Sequence, residues 1–385
     1  MILDSIRTFA LRIPFVTAFK HASAERVATQ TLWVEARAQN GTVGFGEGCP
    51  REFVTGETLD TARNFVVEHL PDWLATIRDL GTLADWTARH GGDIDANPAA
   101  WTAIELALLD LLGKEAARPV ESLLGLPALT GSYRYTAVLG DASPGQFEAQ
   151  LTRYLQAGFR DFKIKLSGDR VRDRAKASSL TSAGISPRAV RADANNLWSN
   201  PAEAIGHVAA LGFPFHALEE PLRAGDWEGM RRVGAELGAR IVLDESLTRV
   251  SQLDRLDNDG DQWILNLRVS KMGGLLRSLE LTAEARRRGL QVVIGAHVGE
   301  TSLLTRAALT VAHSARDILL AQEGAFGTHL LACDVVDPPI MFGDGGVLDT
   351  ASLPKSGNGG FQIEVQSNRY RHYAKRLPEE QSCET

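Results

Sequence analysis

The strongest constraint in the sequence is a charged side chain that recurs at nearly constant spacing after short apolar runs. Lys165, Asp193, Glu219 and Asp244 end four such runs, and 28, 26 and 25 residues separate successive members. A strand of about 5 residues, a helix of about 11 and two short connections occupy about that length. The ends of parallel strands in a barrel meet at one face, where a site can draw on several strands. The spacing therefore predicts a (β/α)8-type barrel with these side chains at one end.

Eight strand-like segments separated by amphipathic stretches support this topology. They are YTAVLG, FRDFKIKL, AVRADAN, HALEEP, RIVLDE, WILNLRVS, QVVIGA and DILLAQ. Before them, three alternating segments predict a small antiparallel sheet at residues 3–12, 29–38 and 42–47. Two helices are expected next, at Leu59–Leu70, where Pro71 should end the helix, and at Ala99–Ala117.

The change of pattern near Ser132 predicts the domain organisation. We expect a capping domain over residues 1–131, a catalytic barrel over 132–350, and a return of the chain to the first domain over 351–385. In that last part, FQIEV is expected to add a strand to the opening sheet. The fold class predicted is therefore α/β, a modified TIM barrel with an α+β cap.

Composition excludes several classes of function. The formal net charge of −7 argues against nucleic acid or an anionic membrane as partner, because both need a clustered basic face. No apolar run is long enough to span a bilayer, and the first residues lack the features of a signal peptide. The three cysteines are widely spaced, which is typical of free thiols. We expect a cytoplasmic enzyme.

Asp193, Glu219 and Asp244 are the candidate metal ligands. Three carboxylates brought together repel one another and are costly to bury unless they share a cation. A set of oxygen ligands without cysteine favours a hard divalent ion, Mg²⁺ first and Mn²⁺ as an alternative. The competing interpretation is three ordinary solvated carboxylates, which requires a coincidence in three consecutive strand–helix units.

Lys163 and Lys165 are the candidate acid–base residues. They stand two apart in DFKIK, so a strand turns both to one side, and Phe162 and Ile164 to the other. Two neighbouring ammonium groups disfavour each other's charge, so we expect a lowered pKa and a competent general base. The alternative, a pair of exposed edge lysines, needs an edge strand that a closed barrel lacks.

With these motifs the chain resembles the enolase superfamily, on the side of the muconate-lactonizing enzymes and dipeptide epimerases. The resemblance covers nearly the whole chain and implies Mg²⁺, a small-molecule carboxylate substrate and a homo-oligomer. It implies that Lys165 is the acid/base residue, that Lys163 is its electrostatic companion and that Asn195 supports the metal and substrate site. The segment Gly48–Thr58 resembles the capping loop that closes over substrate, and Thr55 in it is assigned to substrate binding.

Two departures from the family pattern bear on the reaction. Arg268 stands where two-base members carry a second catalytic lysine, and an arginine stays protonated. Lys271, three residues on, lies beyond the strand end and does not match that lysine. His297 stands on the seventh strand, where the mandelate-racemase branch carries a catalytic histidine, and a nearby arginine should keep it neutral. The alternative for His297 is a structural histidine.

Acidic residues near the last two strands are further candidate substrate ligands. Glu300 and Glu323 follow the seventh and eighth strands and are expected either to bind substrate or to be ordinary loop carboxylates. Dipeptide epimerases carry an Asp-x-Asp pair at the last strand, whereas Asp334 and Asp337 in CDVVDPP are three apart and cannot share one face of a strand. This spacing argues against a dipeptide substrate.

The function predicted is metal-assisted removal of the proton α to a carboxylate through an ene-diolate. Because Arg268 cannot accept a proton, we expect a one-base lyase (a dehydratase) or a cycloisomerase acting on a polar acid. The alternative is an epimerase or racemase of an amino- or hydroxy-acid derivative, with His297 as the second base. A non-catalytic metal-binding barrel is the alternative from another class. Specificity should rest on the loops Phe15–Arg26 and Pro50–Thr58.

Overall fold

The eight segments predicted as barrel strands pair in chain order to form one parallel sheet in the computed structural model. The structure describes residues 1–21, 24–256 and 260–377. The strands are β1 (Leu3–Leu11), β2 (Pro14–His21), β3 (Ala24–Ala28), β4 (Thr31–Ala38), β5 (Val43–Gly48), β6 (Ser132–Arg134), β7 (Ala137–Leu139), β8 (Phe162–Lys165), β9 (Val190–Asp193), β10 (Ala217–Glu219), β11 (Arg240–Leu243), β12 (Trp263–Leu267), β13 (Gln291–Ile294), β14 (Leu319–Gln322), β15 (Val347–Asp349) and β16 (Ala374–Arg376).

Helices alternate with most of the barrel strands and make up much of the first domain. They are α1 (Glu52–Thr55), α2 (Leu59–Thr76), α3 (Leu80–Arg89), α4 (Gly91–Ala96), α5 (Pro98–Glu115), α6 (Val120–Leu123), α7 (Pro144–Gln156), α8 (Arg170–Ser182), α9 (Pro201–Ala209), α10 (Trp227–Leu237), α11 (Val269–Met272), α12 (Leu275–Arg287), α13 (Ser302–Ser314) and α14 (Ser367–Tyr373). Throughout the described ranges, each helix is too short or too polar to cross a bilayer.

Strands β7 to β14 make up the barrel, and the predicted fold class is confirmed. Adjacent strands pair in parallel from β7–β8 through to β13–β14. The backbone N–H of Thr136, next to β7, donates to the carbonyl oxygen of Gln322 in β14 at 2.8 Å, which joins the first strand to the last. The connection after β11 consists of 3-10 turns in the described residues, in line with its irregular sequence.

An apolar layer inside the barrel lies directly below the charged strand ends. This small cluster, separate from the main core, consists of Ala217, Val242, Ile264, Val293 and Ala321. Two residues further along the same strands stand Glu219, Asp244, Asn266, Gly295 and Glu323. Because residues two apart on a strand share a face, four of these strands present an apolar side chain and then a polar one to the interior, and the fifth carries Gly295 instead. The barrel is therefore filled from below and polar at its C-terminal end.

The capping domain combines an antiparallel sheet with a buried helix. The sheet has the strand order β16-β1-β4-β5, and α5 lies against β5 along Gly44, Gly46 and Gly48. A Cβ atom added at these glycines would come within 2.1, 1.9 and 1.9 Å of carbonyl oxygens of α5. Alternate glycines on one face of the strand therefore permit direct contact between the helix and strand backbones.

Three local expectations were wrong. Helix α2 continues through Pro71 to Thr76, because burial of Trp73, which is fully inaccessible, offsets the cost of an internal proline. FQIEV at 361–365 contributes a single isolated bridge, from Val365 to Val336, and the returning strand is β16 instead. Strands β2 and β3 pair as an antiparallel hairpin where the sequence predicts the loop Phe15–Arg26.

Two carboxylates of the cap bind the N-termini of barrel helices. Glu47 in β5 accepts hydrogen bonds from the backbone N–H and the hydroxyl of Thr301, at 3.1 and 2.6 Å, at the start of α13. Glu105 in α5 accepts from the backbone N–H groups of Leu275 and Leu276, at the start of α12. The free N–H groups and the dipole of a helix N-terminus favour a carboxylate there. These contacts attach the cap to the barrel.

Glu105 predicts a pH dependence of stability. Burial raises its pKa from 4.5 to about 8, so between these values the folded state binds a proton that the unfolded state releases. Stability from this proton is complete below about pH 4.5 and is lost as pH rises through about 8. We expect Glu105→Gln to reduce the fall in unfolding free energy between pH 5 and pH 8, measured by urea denaturation. Glu68→Gln, at an exposed position of α2, should leave the slope unchanged; equal slopes in both variants would contradict the assignment.

Candidate active site

A cavity of about 120 Å³ lies at the C-terminal ends of the barrel strands, beneath residues of the cap. Its barrel side contains six of the predicted site residues, namely Lys163, Lys165, Asn195, Arg268, His297 and Glu323. Its cap side contains Arg26, Arg51 and Phe53. The three predicted metal ligands are fully buried and contact the lining lysines and arginine. The strand ends thus converge, as the spacing predicted.

Lys163 connects three carboxylates from three strands. Its Nζ lies 2.8 Å from Glu219 Oε1, 3.0 Å from Asp193 Oδ2 and 3.0 Å from Glu323 Oε2. Burial opposes its charge, but these acids outweigh burial and hold the pKa of Lys163 well above its ordinary value. The expectation that the paired lysines lower each other's pKa is therefore wrong for Lys163. Neighbouring carboxylates, which the two-residue spacing cannot reveal, decide the sign.

Lys165 lies at the cavity wall and is held by the next strand. Its Nζ donates to Asp193 Oδ2 at 2.6 Å and to Asn195 Oδ1 at 2.7 Å. Asn195 has a positive φ of 46°, which asparagine tolerates better than most residues, and its N–H donates to Asp193 Oδ1 at 3.0 Å. The turn after β9 therefore fixes both acceptors that aim the Lys165 side chain. Asn195 supports the lysine in this structure.

The pKa values of Asp193 and Glu219 are shifted in opposite directions. For Asp193, burial is outweighed by Lys163 and Lys165, which lower the pKa to about 2. For Glu219, burial and the negative charge of Asp193 raise the pKa to about 8. Its Oε2 is 2.7 Å from Lys163 Nζ but has no aligned hydrogen bond. The lysines of the site therefore do not fully compensate the buried negative charge at Glu219.

Asp244 is paired with two cations that follow the sixth barrel strand, Arg268 directly after β12 and Lys271 in α11. Arg268 Nη2 makes a short contact with Asp244 Oδ2, and Lys271 Nζ donates to Asp244 Oδ1 at 2.8 Å and to its carbonyl oxygen at 2.7 Å. Lys271 is completely buried. The sequence placed Lys271 outside the catalytic pattern, and the structure gives it the distinct position of a buried counter-ion for Asp244.

Glu220 holds the turn after β11 in place. Its Oε1 accepts the backbone N–H groups of Asp244, at 2.7 Å, and Ser246, at 2.8 Å, and its Oε2 accepts the Ser246 hydroxyl at 2.8 Å. Glu220 itself has a positive φ of 38°, which is strained for this residue type. These hydrogen bonds compensate the strain and orient the Asp244 carboxylate.

The carboxylate oxygens of Asp193, Glu219 and Asp244 are suitable ligands for a hard divalent ion, but they are not arranged around one common position. In the part of the chain that the structure describes, no three His, Cys, Asp or Glu side chains surround a common metal position. Each carboxylate points to a lysine or arginine instead, and Arg268 Nη2 also lies 3.9 Å from Glu219 Oε1. The raised pKa of Glu219 and the unpaired buried Oε2 of Glu245 show that additional positive charge would be favourable here. In this structure Arg268 and Lys271 pair with the Asp244 carboxylate.

His297 faces the cavity as a neutral imidazole. It is 4% exposed, and its Nε2 has no hydrogen-bond partner. Burial, followed by the charge of Arg268, lowers its pKa well below the ordinary value. Arg268 Nη1 lies 3.4 Å from His297 Nδ1, at the long end of the hydrogen-bond range. Because a guanidinium only donates, this contact favours the hydrogen of the neutral ring on Nε2. The Nε2–H group has no partner among the described residues and can donate to a bound molecule.

The other predicted substrate ligands separate into one that reaches the cavity and two that do not. Glu323 lines the cavity, between Lys163 and Arg191. Glu300 accepts the backbone N–H of His297 at 2.7 Å and shapes that loop. Thr55 donates its hydroxyl to Glu57 at 2.8 Å, and Glu57 accepts the first N–H groups of α5. Neither Glu300 nor Thr55 is among the lining residues.

The acids of CDVVDPP also lie away from the cavity. Asp334 is buried and accepts the backbone N–H of Ser302 at the start of α13, and Asp337 pairs with Arg369 at 2.7 Å. The residues that the sequence analysis missed are Arg26, Arg51, Phe53 and Glu245. The two arginines belong to the loops on which specificity was expected to rest, so charge within those loops was the available signal.

Family models match both parts of the chain. The model described as "Mandelate racemase / muconate lactonizing enzyme, N-terminal domain" matches residues 5–125. The model described as "Enolase C-terminal domain-like" matches residues 146–359, more than half of the chain. The expected resemblance is thereby confirmed for the cap and for the barrel.

Characterised relatives are distant but cover most of the chain. A hydrophobic dipeptide epimerase of Enterococcus faecalis is 26% identical over 85% of this chain and 92% of its own. An N-succinyl-L-Arg/Lys racemase of Bacillus cereus is 24% identical over 83% of this chain and 86% of its own. The crystal structure of a dipeptide epimerase from Cytophaga hutchinsonii, complexed with Mg and D-Ala-L-Val, superposes with a TM-score of 0.85 over 98% of this chain and 99% of that one, at 20% identity. This last similarity shows the fold.

Lys271 predicts a large loss of stability on substitution. Lys271→Met removes one cation of a buried pair and leaves Asp244 dependent on Arg268, so we expect the free energy of unfolding to fall by about 3–5 kcal/mol. Arg232→Met, which removes an exposed pair with Glu236 in α10, should change it by less than about 1 kcal/mol. Urea denaturation measures both. Similar small losses in the two variants would contradict a buried counter-ion role.

Proposed function

Because this chain belongs to the enolase superfamily, on its mandelate racemase and muconate lactonizing side, we propose that it epimerises or racemises an amino-acid derivative by moving the proton α to a carboxylate. The observation that carries this proposal is a pair of proton-exchanging groups on one cavity. Lys165 comes from the second barrel strand and His297 from the loop after the seventh. The epimerase and racemase activities of the relatives support an epimerase more than the lyase or cycloisomerase expected from sequence.

Lys165 is the proposed acid/base on one face of the substrate. Asp193 and Asn195 fix its Nζ at 2.6 and 2.7 Å, so the amine has a defined position at the cavity wall. Lys163 stays positively charged beside it because three carboxylates surround its Nζ. A fixed ammonium near the reacting group stabilises the negative charge that develops as the α proton leaves.

His297 is the proposed acid/base on the other face. Once Arg268 leaves Nδ1, the unpaired Nε2 would take or give a proton, and the lowered pKa of the ring makes the imidazolium, once formed, a strong proton donor. Arg268 cannot take a proton, but its charge lies between Asp244 and the imidazole. A two-face reaction in this site therefore pairs a lysine with a histidine.

Asp193, Glu219 and Asp244 would hold Mg²⁺ in the proposed enzyme. When bound, the ion would supply a positive charge that stabilises the ene-diolate form of the substrate carboxylate. The all-oxygen donor set supports this assignment. Arg268, displaced from Asp244, would be available to pair with a substrate carboxylate or oxyanion.

The second candidate is a one-base lyase or cycloisomerase. It is favoured by one observation, that the strand position expected to carry a second lysine holds Arg268, which stays protonated. In that case His297 orients substrate and Lys165 alone moves protons. The two candidate reactions predict different effects of a His297 substitution on hydrogen exchange at the α carbon.

Hydrogen exchange in D₂O distinguishes these candidates. With Mg²⁺ and a library of N-acyl amino acids and dipeptides of both configurations, we expect Lys165→Ala to reduce deuterium incorporation into one enantiomer by about 10²–10⁴-fold, and His297→Asn to do so for the other. NMR or mass spectrometry measures incorporation. His372→Asn, at an exposed histidine of α14, is the control. Exchange of a single enantiomer in the unaltered protein, left unchanged by His297→Asn, would favour the one-base reaction.

Removal of divalent ions tests the metal. We expect EDTA to abolish deuterium incorporation and Mg²⁺ to restore it, and Glu219→Gln to weaken Mg²⁺ binding by at least about tenfold in calorimetry, because a ligand charge is lost. Exchange that persists after chelation would contradict a metal-assisted reaction. Mg²⁺ binding without deuterium incorporation into any carboxylate compound would favour the non-catalytic metal-binding barrel.

A further inference from the structure

Three buried polar side chains lie beside the end of β8, outside the cavity. They are Asp173 and Lys176 of α8 and His207 of α9, and each is at most 5% exposed. None of them lines the cavity, and the proposed reaction uses none of them. A buried charge is costly unless its partners compensate it. The contacts of this cluster therefore indicate which part of the barrel it holds in place.

Lys176 holds the main chain at the last residue of β8. Its Nζ donates to the backbone carbonyl oxygen of Lys165 at 2.7 Å. It also donates to Asp173 Oδ1 at 3.1 Å and to Asp141 Oδ1, in the loop after β7, at 2.9 Å. The pairing of β8 with β7 ends one residue earlier, at Ile164. The Lys165 carbonyl therefore lies beyond the last strand pair on that side, and a charged donor, which makes a stronger hydrogen bond than a neutral one, binds it.

Asp173 holds the turn that follows Lys165. It accepts the backbone N–H of Ser167 at 2.9 Å, the hydroxyl of Ser167 at 2.8 Å and the backbone N–H of Gly168 at 3.1 Å. His207 Nε2 donates to its other oxygen at 3.0 Å, since a carboxylate only accepts. Burial opposes the charge of Asp173, but Lys176 and the hydrogen bonds of Ser167 outweigh burial and lower its pKa. The turn after β8 is thus fixed from two helices.

Lys165 is thereby held at both ends of its side chain. Asp193 and Asn195 accept hydrogen bonds from its Nζ, at 2.6 and 2.7 Å, and Lys176 fixes the backbone to which the side chain is attached. To exchange a proton with a substrate, Nζ must turn toward the reacting carbon and loosen its own hydrogen bonds. The backbone contact takes no part in that movement, so it defines the position from which Nζ acts. Small displacements of a reacting group lower rates strongly.

We propose that Lys176 is a positioning residue for Lys165, which it orients through the backbone of β8. The inference rests on the proposed function and deepens it, because it gives the acid/base on one face of the substrate a support outside the cavity. His297 has a different support, since its backbone N–H donates to Glu300 at 2.7 Å. Loss of Lys176 should therefore slow proton transfer at the Lys165 face and leave the His297 face nearly unchanged.

Deuterium incorporation, measured separately for the two enantiomers, tests this assignment. The full-length protein with Mg²⁺ is given the N-acyl amino acid or dipeptide that it exchanges fastest. For the enantiomer whose exchange Lys165→Ala abolishes, we expect Lys176→Met to lower kcat by about 10- to 100-fold with KM unchanged. Lys176→Arg should restore part of the loss, because a guanidinium can donate to the same carbonyl oxygen. Equal losses for both enantiomers, or no loss for either, would overturn the proposal.

Lys114→Met is the matched control. Lys114 Nζ also donates to a backbone carbonyl oxygen, that of Val43 at 2.9 Å, and to a carboxylate, that of Asp110 at 2.6 Å, but it lies in the cap away from the cavity. We expect this variant to exchange both enantiomers at the rate of the unaltered protein. Urea denaturation checks that each variant is folded. A selective loss in Lys114→Met equal to that in Lys176→Met would overturn the assignment.

Amide hydrogen exchange tests the backbone contact without a substrate or a metal. In Lys176→Met we expect the amides of residues 166–168 to exchange faster by about tenfold, measured by mass spectrometry of peptides that cover β8, because one hydrogen bond at the strand end is lost. Unchanged amide exchange would overturn the inference, whether or not the protein acts on any compound. Faster amide exchange in a protein that incorporates deuterium into no compound would reject the proposed reaction and support the anchoring of Lys165.

Discussion

The site depends on Lys163, whose ammonium is shared by carboxylates from three separate strands. Without that cation, Asp193, Glu219 and Glu323 would be buried acids facing one another, which is strongly unfavourable. The lysine thus permits negative charge to collect at the centre of the barrel. The same concentration of charge is what a divalent ion would bind, so the contacts that stabilise the protein without a metal involve the atoms proposed to hold one.

Strand geometry gives this charged layer a rigid support. The apolar cluster inside the barrel lies two residues before a polar side chain on four strands. The apolar layer and the charged layer therefore both follow from the two-residue alternation of side chains along the strands. The apolar side chains prevent the charged groups from moving deeper into the barrel. Positive φ values at Asn195 and Glu220 then turn the chain sharply after β9 and β10. The hydrogen bonds of these two side chains orient Lys165 and Asp244.

The cap completes the wall of the cavity with Arg26, Arg51 and Phe53. Glu47 and Glu105 attach it to the N-termini of two barrel helices. Gly44, Gly46 and Gly48 of β5 let α5, which carries Glu105, lie directly against this strand. Arg51, next to this sheet, then contacts both the cap and the loop of His297. The cavity therefore lies between the two domains, with the proposed acid/base Lys165 on a strand and His297 on the loop after another.

The sequence by itself determined the eight-stranded barrel, its order and the residues at its strand ends, because strand–helix spacing and two-residue alternation are local properties. It also indicated Lys165, His297 and the acidic trio as neighbours. Only the tertiary structure decided the charge of Lys163, the burial of Lys271 against Asp244, the exclusion of Thr55 and Glu300 from the cavity, and the entry of Arg51 into it. Those outcomes depend on groups far apart in the chain, since pKa and pairing are set by distance in space and by the loss of water.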